Sequence, residues 1–207
     1  MAIVQARLTS TRLPRKVLMD LCGKTVLERV LERLLQAKFI NQVVVAAPHD
    51  IPLKLDVPIF IGDEQDVMKR YYDCANFFEA DYIVRITSDC PLIEPTLIDK
   101  CIEILHEGKY DYVAALEPYY PDGLDTEVFT MELLEKADME AEGPEREHLV
   151  QYFTKQKNIK LLDEGGYGHT KVSIDTNEDL ERVRKIWNGG IKSYCSSAAR
   201  DHLEANS

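Results

Sequence analysis

The first residues that could carry chemistry form a basic segment close to the start of the chain. Between Arg7 and Lys16 the sequence has three arginines, one lysine, three hydroxyl side chains and no acid. The chain as a whole is acidic, with a formal net charge of −11 at pH 7. Guanidinium, ammonium and loop N–H groups are the donors that bind a polyphosphate. The segment therefore predicts a phosphate-binding loop, and a solvated basic loop is the alternative.

Two aspartates follow predicted strands, and both could face the same ligand. Asp89 comes after the apolar run that ends near Ile86, and Asp175 comes after Ile174, just before a predicted helix. Acids at the carboxyl ends of strands point into the crevice where open α/β sheets bind ligands. Mg²⁺ prefers one or two protein carboxylates together with phosphate oxygens. Taken with the basic segment, the two acids predict a Mg²⁺ site; taken singly, Asp89 could be a turn acid and Asp175 an acid at a helix N-terminus.

Several functional classes are excluded by motifs that the sequence lacks. No glycine precedes Gly23, so neither a P-loop nor a dinucleotide-binding fingerprint is present. No G-x-S-x-G elbow occurs, which disfavours a serine hydrolase. The acidic charge disfavours nucleic acid and anionic membranes as partners. We expect a cytoplasmic protein, because neither a signal peptide nor an apolar run of membrane-spanning length is apparent.

The elements that must position these residues alternate along the first half of the chain. Apolar runs predict strands at 2–4, 43–47, 58–61, 81–86 and 110–116. Apolar residues at helical spacing predict helices at about 26–35, 64–78 and 96–106. This order favours an α/β fold with a doubly wound sheet.

The second half is less regular. It predicts an extended segment at 124–129, helices at 131–137 and 145–155, and short strands at 159–162 and 171–174 around a Gly-Gly-Tyr-Gly loop. A last helix is predicted at 177–187, with Thr176 as its N-cap. We predict one domain over 1–187, with a small inserted subdomain at about 117–168 and a flexible tail at 188–207.

Blocks of sequence in this order resemble the cytidylyltransferases that activate acidic sugars. These include the CMP-KDO and CMP-sialate synthetases and, most similar, the spore-coat polysaccharide biosynthesis family. The blocks are QARLTSTRLPRK at 5–16, FIGDEQDV at 60–67, VRITSDCPLI at 84–93, DGLDTEVF at 122–129, EREH at 145–148 and VSIDTNEDL at 172–180. The chain departs from the family at Arg15, where glycine is usual, and from the KDO and sialate enzymes at Gln5, where proline is usual.

The resemblance implies a fold and a reaction. The fold would be a doubly wound mixed sheet like that of the nucleotide-diphosphosugar transferases, which is Rossmann-like. The reaction would join CMP from CTP to a sugar, expected to be acidic, for surface polysaccharide or glycan biosynthesis. Homodimers are frequent in such families, and Tyr119, Tyr120 and Val128 could form a dimer contact.

The resemblance also implies roles for individual residues. The implied nucleotide-binding residues are Gln5, Ala6, Arg7, Ser10, Thr11, Arg12, Lys16, Arg85, Thr87 and Ser88. Arg7, Lys16 and Asp89 would be catalytic, and Asp89 and Asp175 would hold Mg²⁺. The sugar would be bound by Asp122, Asp125, Glu127, Arg146 and His148. For Arg146 a salt bridge to a neighbouring acid is the alternative, and for His148 a structural hydrogen bond.

Two other functions share these features. A glycosyltransferase that uses a nucleotide-sugar donor would normally carry an Asp-x-Asp motif, whereas Asp89 is followed by Cys90 and Pro91. A non-catalytic nucleotide-binding protein would be expected to lack the two acids or Lys16, all of which are present.

Overall fold

A computed structural model describes residues 1–163 and 170–190. The predicted Gly-Gly-Tyr-Gly loop lies outside the described residues, as does the predicted tail from residue 191 onward. No helix in the described ranges is both long enough and apolar enough to cross a membrane.

The central sheet is mixed, as predicted, and it has seven strands. Along the chain the strands of the structure are β1 (Ala2–Gln5), β2 (Asp20–Leu21), β3 (Lys24–Thr25), β4 (Val43–Ala47), β5 (Ile59–Ile61), β6 (Tyr82–Thr87), β7 (Tyr112–Ala115), β8 (Thr126–Thr130) and β9 (Ile159–Leu161). The sheet order is β5-β4-β1-β6-β8-β7-β9, and β8 runs antiparallel to both of its neighbours. The remaining strand pairs of the sheet are parallel, so the carboxyl ends of β1, β4 and β6 meet at one edge.

Helices cover both faces of this sheet. They are α1 (Val26–Leu34), α2 (Val67–Phe77), α3 (Pro95–His106), α4 (Met131–Glu140), α5 (Pro144–Glu147), α6 (Val150–Phe153) and α7 (Asn177–Gly189). Ala2 and Val4 of β1 pack into one core cluster with apolar residues of α1 and α3. Ile3, between them, packs into the other cluster, with α2 and α4. Alternate residues of β1 are therefore buried on opposite faces, which is why its sequence is continuously apolar.

Side-chain caps fix where two of the site-flanking helices begin. Thr25 and Glu28 form a reciprocal capping box at the start of α1. Thr176 and Asp179 form a second one at the start of α7, which confirms the predicted N-cap. Such caps satisfy backbone N–H groups that have no partner within the helix. The cap of α7 fixes the backbone next to Asp175, since Asp179 accepts hydrogen bonds from the N–H groups of both Asp175 and Thr176.

Two local predictions differ from the structure, and one hairpin of the structure was not predicted. The predicted helix at 145–155 is two short helices, because His148 has φ −114° and ψ 78°, which no helix accommodates. The segment 171–174 is not a strand, because its N–H groups bind loop carbonyls rather than a neighbouring strand. The hairpin of β2 and β3 was not predicted; Cys22 and Gly23 both have positive φ, as a two-residue type I′ turn requires.

The range predicted as an inserted subdomain contributes directly to the sheet. β8 lies between β6 and β7, and Val128 on it is fully buried. Of the residues considered for a dimer contact, Tyr120 is also buried, whereas Tyr119 is exposed. The homodimer and the division into a domain and a tail stay predictions.

Candidate active site

A cleft of about 420 Å³ opens at the edge of the sheet where β1 and β6 end. Clefts of this size are typical of small-molecule sites. The residues that line it are Gln5, Arg7, Ser10, Thr11, Arg12, Lys16, Arg85, Thr87, Ser88, Asp89, Cys90, Leu116, Asp122, Asp125, Glu127, Val150, Ser173 and Asp175. Among the predicted site residues, those outside this lining are Ala6, Arg146 and His148.

The basic segment after β1 forms one wall of the cleft. Its backbone is held by a hydrogen bond from Arg15 N to Leu8 O at 3.0 Å, and Leu13 anchors it in an apolar cluster. A short 3-10 helix then begins at Lys16 and buries that residue. Arg7 and Arg12 keep more than half of their side-chain surface exposed, at 54% and 64%. The wall thus presents two exposed guanidinium groups beside one buried ammonium group.

Arg15 lies in this segment but faces solvent rather than the cleft. Its φ of 57° places it in the left-handed region. That conformation is unfavourable for side chains other than glycine, which is consistent with the glycine usual here in the family that the sequence resembles.

Asp89 and Asp175 converge, and Lys16 lies between them, although only Asp89 follows a strand of the structure. Lys16 Nζ is 2.5 Å from Asp89 Oδ2 and 2.9 Å from Asp175 Oδ1. Arg12 also contacts Asp175 at 2.9 Å, and Lys171 does so at 2.6 Å. Burial would raise the pKa of Asp175, but the hydrogen bonds from Lys171 and Lys16 outweigh it and lower the pKa to about 2. For Lys16, burial would lower the pKa, and the charge of Asp89 reverses this and raises it.

The two carboxylates fit a Mg²⁺ ion that shares its coordination with a phosphate. Both reach the same point, marked by Lys16 Nζ, so one cation there could bind an oxygen from each. In the described ranges no group of three or more His, Cys, Asp or Glu side chains is arranged to hold a metal. A two-acid set suits Mg²⁺, which usually keeps waters and phosphate oxygens in its shell.

Backbone hydrogen bonds tie together the loops that carry the acids. Asp122 O accepts from Val172 N at 2.7 Å and from Ser173 N at 3.1 Å. Ile174 N donates to Asp89 O at 2.9 Å. Gly123 permits this approach, because its φ is +108° and a Cβ there would lie 2.3 Å from Ser173 N. These contacts, rather than a strand at 171–174, position Asp175.

A buried ion pair forms the floor of the cleft. Arg85 on β6 pairs with Glu127 on β8, and Glu127 also accepts a 2.8 Å hydrogen bond from the Tyr112 hydroxyl. Burial would lower the pKa of Arg85, and the charge of Glu127 reverses this and raises it. Gln5 Oε1 lies 3.5 Å from the same guanidinium. Glu127 thereby neutralises the charge of Arg85, while Arg85 Nε is buried without a hydrogen-bond partner among the described residues.

Asp125, unlike Asp175, is a carboxylate of the cleft that has no lysine or arginine bound to it among the described residues. Its Oδ2 accepts from Gly123 N at 3.1 Å, and within the described residues it has no cationic partner in hydrogen-bond contact. Burial, reinforced by the charges of Asp122 and Glu127, raises the pKa of Asp125 to about 6. Carboxylates with raised pKa values in clefts are frequently functional.

Arg146 and His148, predicted to bind the sugar, are placed elsewhere by the structure. Arg146 contacts Asp66 at 2.5 Å and Asp138 at 2.7 Å, and it also donates to the carbonyls of Asp138 and Ala141. It therefore joins α2, α4 and α5, which is the structural alternative. His148 is exposed at the end of α5.

Four residues of the lining were not predicted: Cys90, Leu116, Val150 and Ser173. Cys90 stands next to Asp89 in the sequence, so a broader reading of that motif could have included it. Ser173 stands two residues before Asp175 in the block at 172–180, and backbone contacts with Asp122 bring it to the cleft.

The family to which the chain belongs is shown by its similarity to known proteins. Residues 1–188 match the family model described as Cytidylyltransferase, which confirms the resemblance seen in the sequence. An uncharacterized protein of Methanocaldococcus jannaschii, MJ1063, is 40% identical over 166 residues, covering 76% of this chain and 68% of that protein. The spore coat polysaccharide biosynthesis protein SpsF of Bacillus subtilis is 27% identical over 205 residues, covering 89% of this chain and 85% of that protein.

One further relative matches only about half of the chain in sequence, and one solved structure matches almost all of it. The 3-deoxy-manno-octulosonate cytidylyltransferase of Geobacter sulfurreducens is 36% identical over 113 residues, covering 52% of this chain and 45% of that enzyme. A solved cytidylyltransferase from Leptospira borgpetersenii superposes with a TM-score of 0.81 at 31% identity, covering 99% of this chain and 93% of that one.

Proposed function

The chain belongs to the cytidylyltransferase family, and from that premise we propose that it transfers the cytidylyl group of CTP to a sugar hydroxyl. The products are a CMP-sugar and pyrophosphate. The observation that carries this proposal is the placement of Lys16 between Asp89 and Asp175, beside the exposed guanidinium groups of Arg7 and Arg12. Nucleotidyl transfer needs alignment and charge neutralisation more than covalent chemistry from the protein.

The basic wall suits the triphosphate. Arg7 and Arg12 would bind its outer phosphates as forked donors, and Ser10 and Thr11 would add hydroxyl donors. Thr87 and Ser88, at the end of β6, would face the base and ribose. Because Arg85 is fixed in its pair with Glu127, we assign it to shaping the floor of the cleft rather than to a phosphate.

Asp89 and Asp175 would hold Mg²⁺, which supplies charge neutralisation at the phosphates when it is bound. Lys16 would then exchange its two carboxylate partners for phosphate oxygens, over a short distance. In the chain without ligand, burial would lower the pKa of Lys16, but the charge of Asp89 raises it, so the side chain is cationic when CTP arrives.

The reaction is an in-line displacement at the α-phosphorus. A sugar hydroxyl oxygen forms the new bond to phosphorus and its proton passes to water in the open cleft. The bond from the α-phosphorus to the bridging oxygen breaks, and pyrophosphate leaves with that electron pair. Arg7 and Lys16 would stabilise the charge on the departing pyrophosphate, a role that preorganised cations perform in such sites.

An acidic sugar is the acceptor that the sequence resemblance suggests. The name of the Geobacter sulfurreducens relative specifies a sugar acid, 3-deoxy-manno-octulosonate, and that of SpsF specifies polysaccharide biosynthesis. A sugar acceptor for polysaccharide or glycan synthesis is therefore the class we propose.

Pyrophosphate release from each of the four nucleoside triphosphates, with pooled sugars and Mg²⁺, tests the proposal. Release with CTP alone is the expected result. Asp89→Asn should lower turnover by about 100-fold or more, because it removes a charge that positions the phosphates, while circular dichroism shows a folded protein. Asp111→Asn, at the start of β7 on the opposite edge of the sheet, is the matched control.

Two outcomes would overturn the proposal. CTP binding without release in every pool would favour a non-catalytic nucleotide-binding protein. Transfer from a ready-made nucleotide sugar, with no use of CTP, would favour a glycosyltransferase.

A further inference from the structure

We infer that Arg85 binds the acid group of a sugar-acid acceptor and is the side chain that makes the chain selective for an acidic sugar. The inference rests on the proposed cytidylyl transfer and deepens it, because it assigns recognition of the acceptor's charge to one residue. The part of the cleft that carries the argument is formed by Arg85, Asp122, Asp125, Glu127 and Ser173, here called the acceptor side.

The cations of the cleft lining divide into two groups. Arg7, Arg12 and Lys16 belong to the basic wall, which the triphosphate occupies in the proposed reaction. Arg85 lies instead on β6, opposite Glu127 of the neighbouring strand β8. Among the described residues that line the cleft, Arg85 is therefore the one cation left for an acceptor.

Arg146, which the sequence suggested for the sugar, is not available for this role. It lies outside the cleft lining and is bound to Asp66 at 2.5 Å and to Asp138 at 2.7 Å. Its guanidinium also donates to the carbonyls of Asp138 and Ala141, so turning it towards the cleft would leave these acceptors without their donor.

Arg85 has an N–H group that the protein leaves unused. Its Nη1 pairs with Glu127, and its Nη2 lies 3.5 Å from Gln5 Oε1, at the long limit of a hydrogen bond. Its Nε is buried and has no hydrogen-bond partner among the described residues. Buried donors are normally satisfied, so this one points to an acceptor atom that arrives with a ligand. A carboxylate fits, because its two oxygens match the parallel N–H groups of Nε and Nη2 on one edge of the guanidinium.

The surrounding contacts hold Arg85 in place for this interaction. Glu127 is itself fixed, because its second carboxylate oxygen accepts a 2.8 Å hydrogen bond from the Tyr112 hydroxyl. The Arg85 guanidinium also lies over the ring of Tyr71, 5.9 Å from its centre. A guanidinium fixed in this way loses little conformational freedom when it binds an anion. Glu127 is thus a positioning residue, and Arg85 is the residue that contacts the acceptor.

The acids of the acceptor side do not exclude a sugar carboxylate. Glu127 is paired with Arg85, and Asp122 is paired with Lys171 at 3.2 Å. Asp125 has no cation bound to it among the described residues, but burial raises its pKa to about 6. An arriving anion favours the protonated form of Asp125 further, and a protonated carboxyl donates to a sugar oxygen instead of repelling it.

Ser173 is a second unpaired group on the acceptor side. The residue is buried and lines the cleft, and its Oγ has no hydrogen-bond partner among the described residues. Three buried side-chain polar atoms lack a partner in the described ranges, and two of them, Arg85 Nε and Ser173 Oγ, belong to this cleft. Because both can donate, together they indicate a ligand with several acceptor oxygens, as a sugar acid has.

The charge preference is tested first on the wild-type chain. CTP and Mg²⁺ are supplied with sugar acids, among them 3-deoxy-manno-octulosonate, with the methyl esters of the same acids, or with neutral sugars, and CMP adducts are measured by mass spectrometry. We expect kcat/KM to be about 10-fold or more higher for the reacting acid than for its ester, as loss of a charged hydrogen bond implies. Equal values for acid and ester, or product from neutral sugars alone, would overturn the inference and leave cytidylyl transfer standing.

Arg85→Lys tests the assignment to one residue. Lysine keeps a positive charge beside Glu127 but lacks the edge formed by Nε and Nη2. The KM for the sugar acid should rise about 10- to 100-fold, the range expected for hydrogen bonds to a charged group. The preference for acid over ester should shrink, and the KM for CTP should stay within about twofold.

Arg33→Lys is the matched control, because Arg33 is also buried and paired with a glutamate, Glu94, at 3.1 Å, yet lies outside the cleft lining. It should leave both KM values unchanged. A folded Arg85→Lys chain with an unchanged KM for the acid would contradict the assignment. If Arg85→Lys does not fold, the comparison of acid and ester on the wild type still decides.

Binding measured without turnover separates this inference from the proposed function. Saturation-transfer NMR detects sugar acids on the chain loaded with Mg²⁺ and a CTP analogue whose α,β-bridging oxygen is a methylene group. We expect a sugar acid to bind to the wild type and to bind more weakly to Arg85→Lys. Binding of the analogue with no sugar acid bound would overturn this inference, whereas failure to bind the analogue would overturn the proposed function itself.

Discussion

Asp125→Asn should stabilise the folded chain at neutral pH. The pKa of Asp125 is raised to about 6 in the folded protein, chiefly by burial, against about 3.9 in an unfolded chain. Ionising this carboxyl therefore costs the folded state more than the unfolded state. Each pKa unit corresponds to about 1.4 kcal/mol, so the two-unit difference sets an upper limit of about 3 kcal/mol at pH 7. Since Asp125 is not fully buried and an amide also loses hydration there, we expect about 1–2 kcal/mol.

Because folding raises the pKa of Asp125, the stability difference between wild type and variant should appear between the unfolded and the folded pKa. Well below pH 4 the carboxyl is protonated in both states, so wild type and variant should have nearly equal free energies of unfolding. As the pH rises from 4 through 6, the wild type should lose stability relative to the variant, and above pH 7 the gap should be constant. The asparagine Oδ1 can still accept from the Gly123 N–H, so the loop keeps its hydrogen bond.

Urea denaturation at several pH values between 4 and 8 measures this directly. Trp187 is the single tryptophan and lies on α7, under the guanidinium of Arg29 at 4.6 Å, so its fluorescence reports unfolding. Asp111→Asn serves again as the control with no pH-dependent gain. Equal stability of wild type and Asp125→Asn at pH 7, or a difference that does not change with pH, would refute the reasoning.

Three further substitutions test the loops around the site by the same denaturation assay. Gly123→Ala should lose about 2–4 kcal/mol, because its Cβ would overlap Ser173 N and its φ is positive; a loss below 1 kcal/mol would contradict the close approach. Arg15→Gly should gain up to about 1 kcal/mol by relieving the left-handed conformation, and a loss would show that the side chain makes a stabilising contact. Arg146→Gln should lose about 1–3 kcal/mol with its ion pairs while the KM for the acceptor stays within about twofold; a large rise in that KM would return Arg146 to the site.

The sequence predicted best those elements whose local pattern and tertiary burial agree. Val43–Ala47 is a strand because all five residues are buried between two helix layers, and its apolar run has the same bounds. The capping box at Thr176 depends only on residues within one turn, so it too was readable. The hairpin at Cys22 and Gly23 was missed because Cys22 adopts a positive φ that a cysteine rarely takes.

The position of Asp89 was predictable because this residue follows a strand, whereas the positions of Asp175 and Lys16 depend on long-range contacts. Asp89 and Asp175 converge because one follows β6 and the other is tied to the Asp89 and Asp122 loops by backbone hydrogen bonds. The sequence does not predict that Lys16 lies between the two acids, because its place in the basic segment says nothing about these contacts. The role of Arg146 is decided by Asp66, which is 80 residues away in the chain, and by Asp138.

The central claim is that CTP binds with its triphosphate on the basic wall and its α-phosphate beside Lys16 and the two acids. A crystal structure with Mg²⁺ and a CTP analogue whose α,β-bridging oxygen is a methylene group tests it most directly. We expect phosphate oxygens in contact with Arg7, Arg12 and Lys16, and Mg²⁺ on Asp89 and Asp175. A triphosphate bound away from this wall, with Lys16 still between the two carboxylates, would contradict the account.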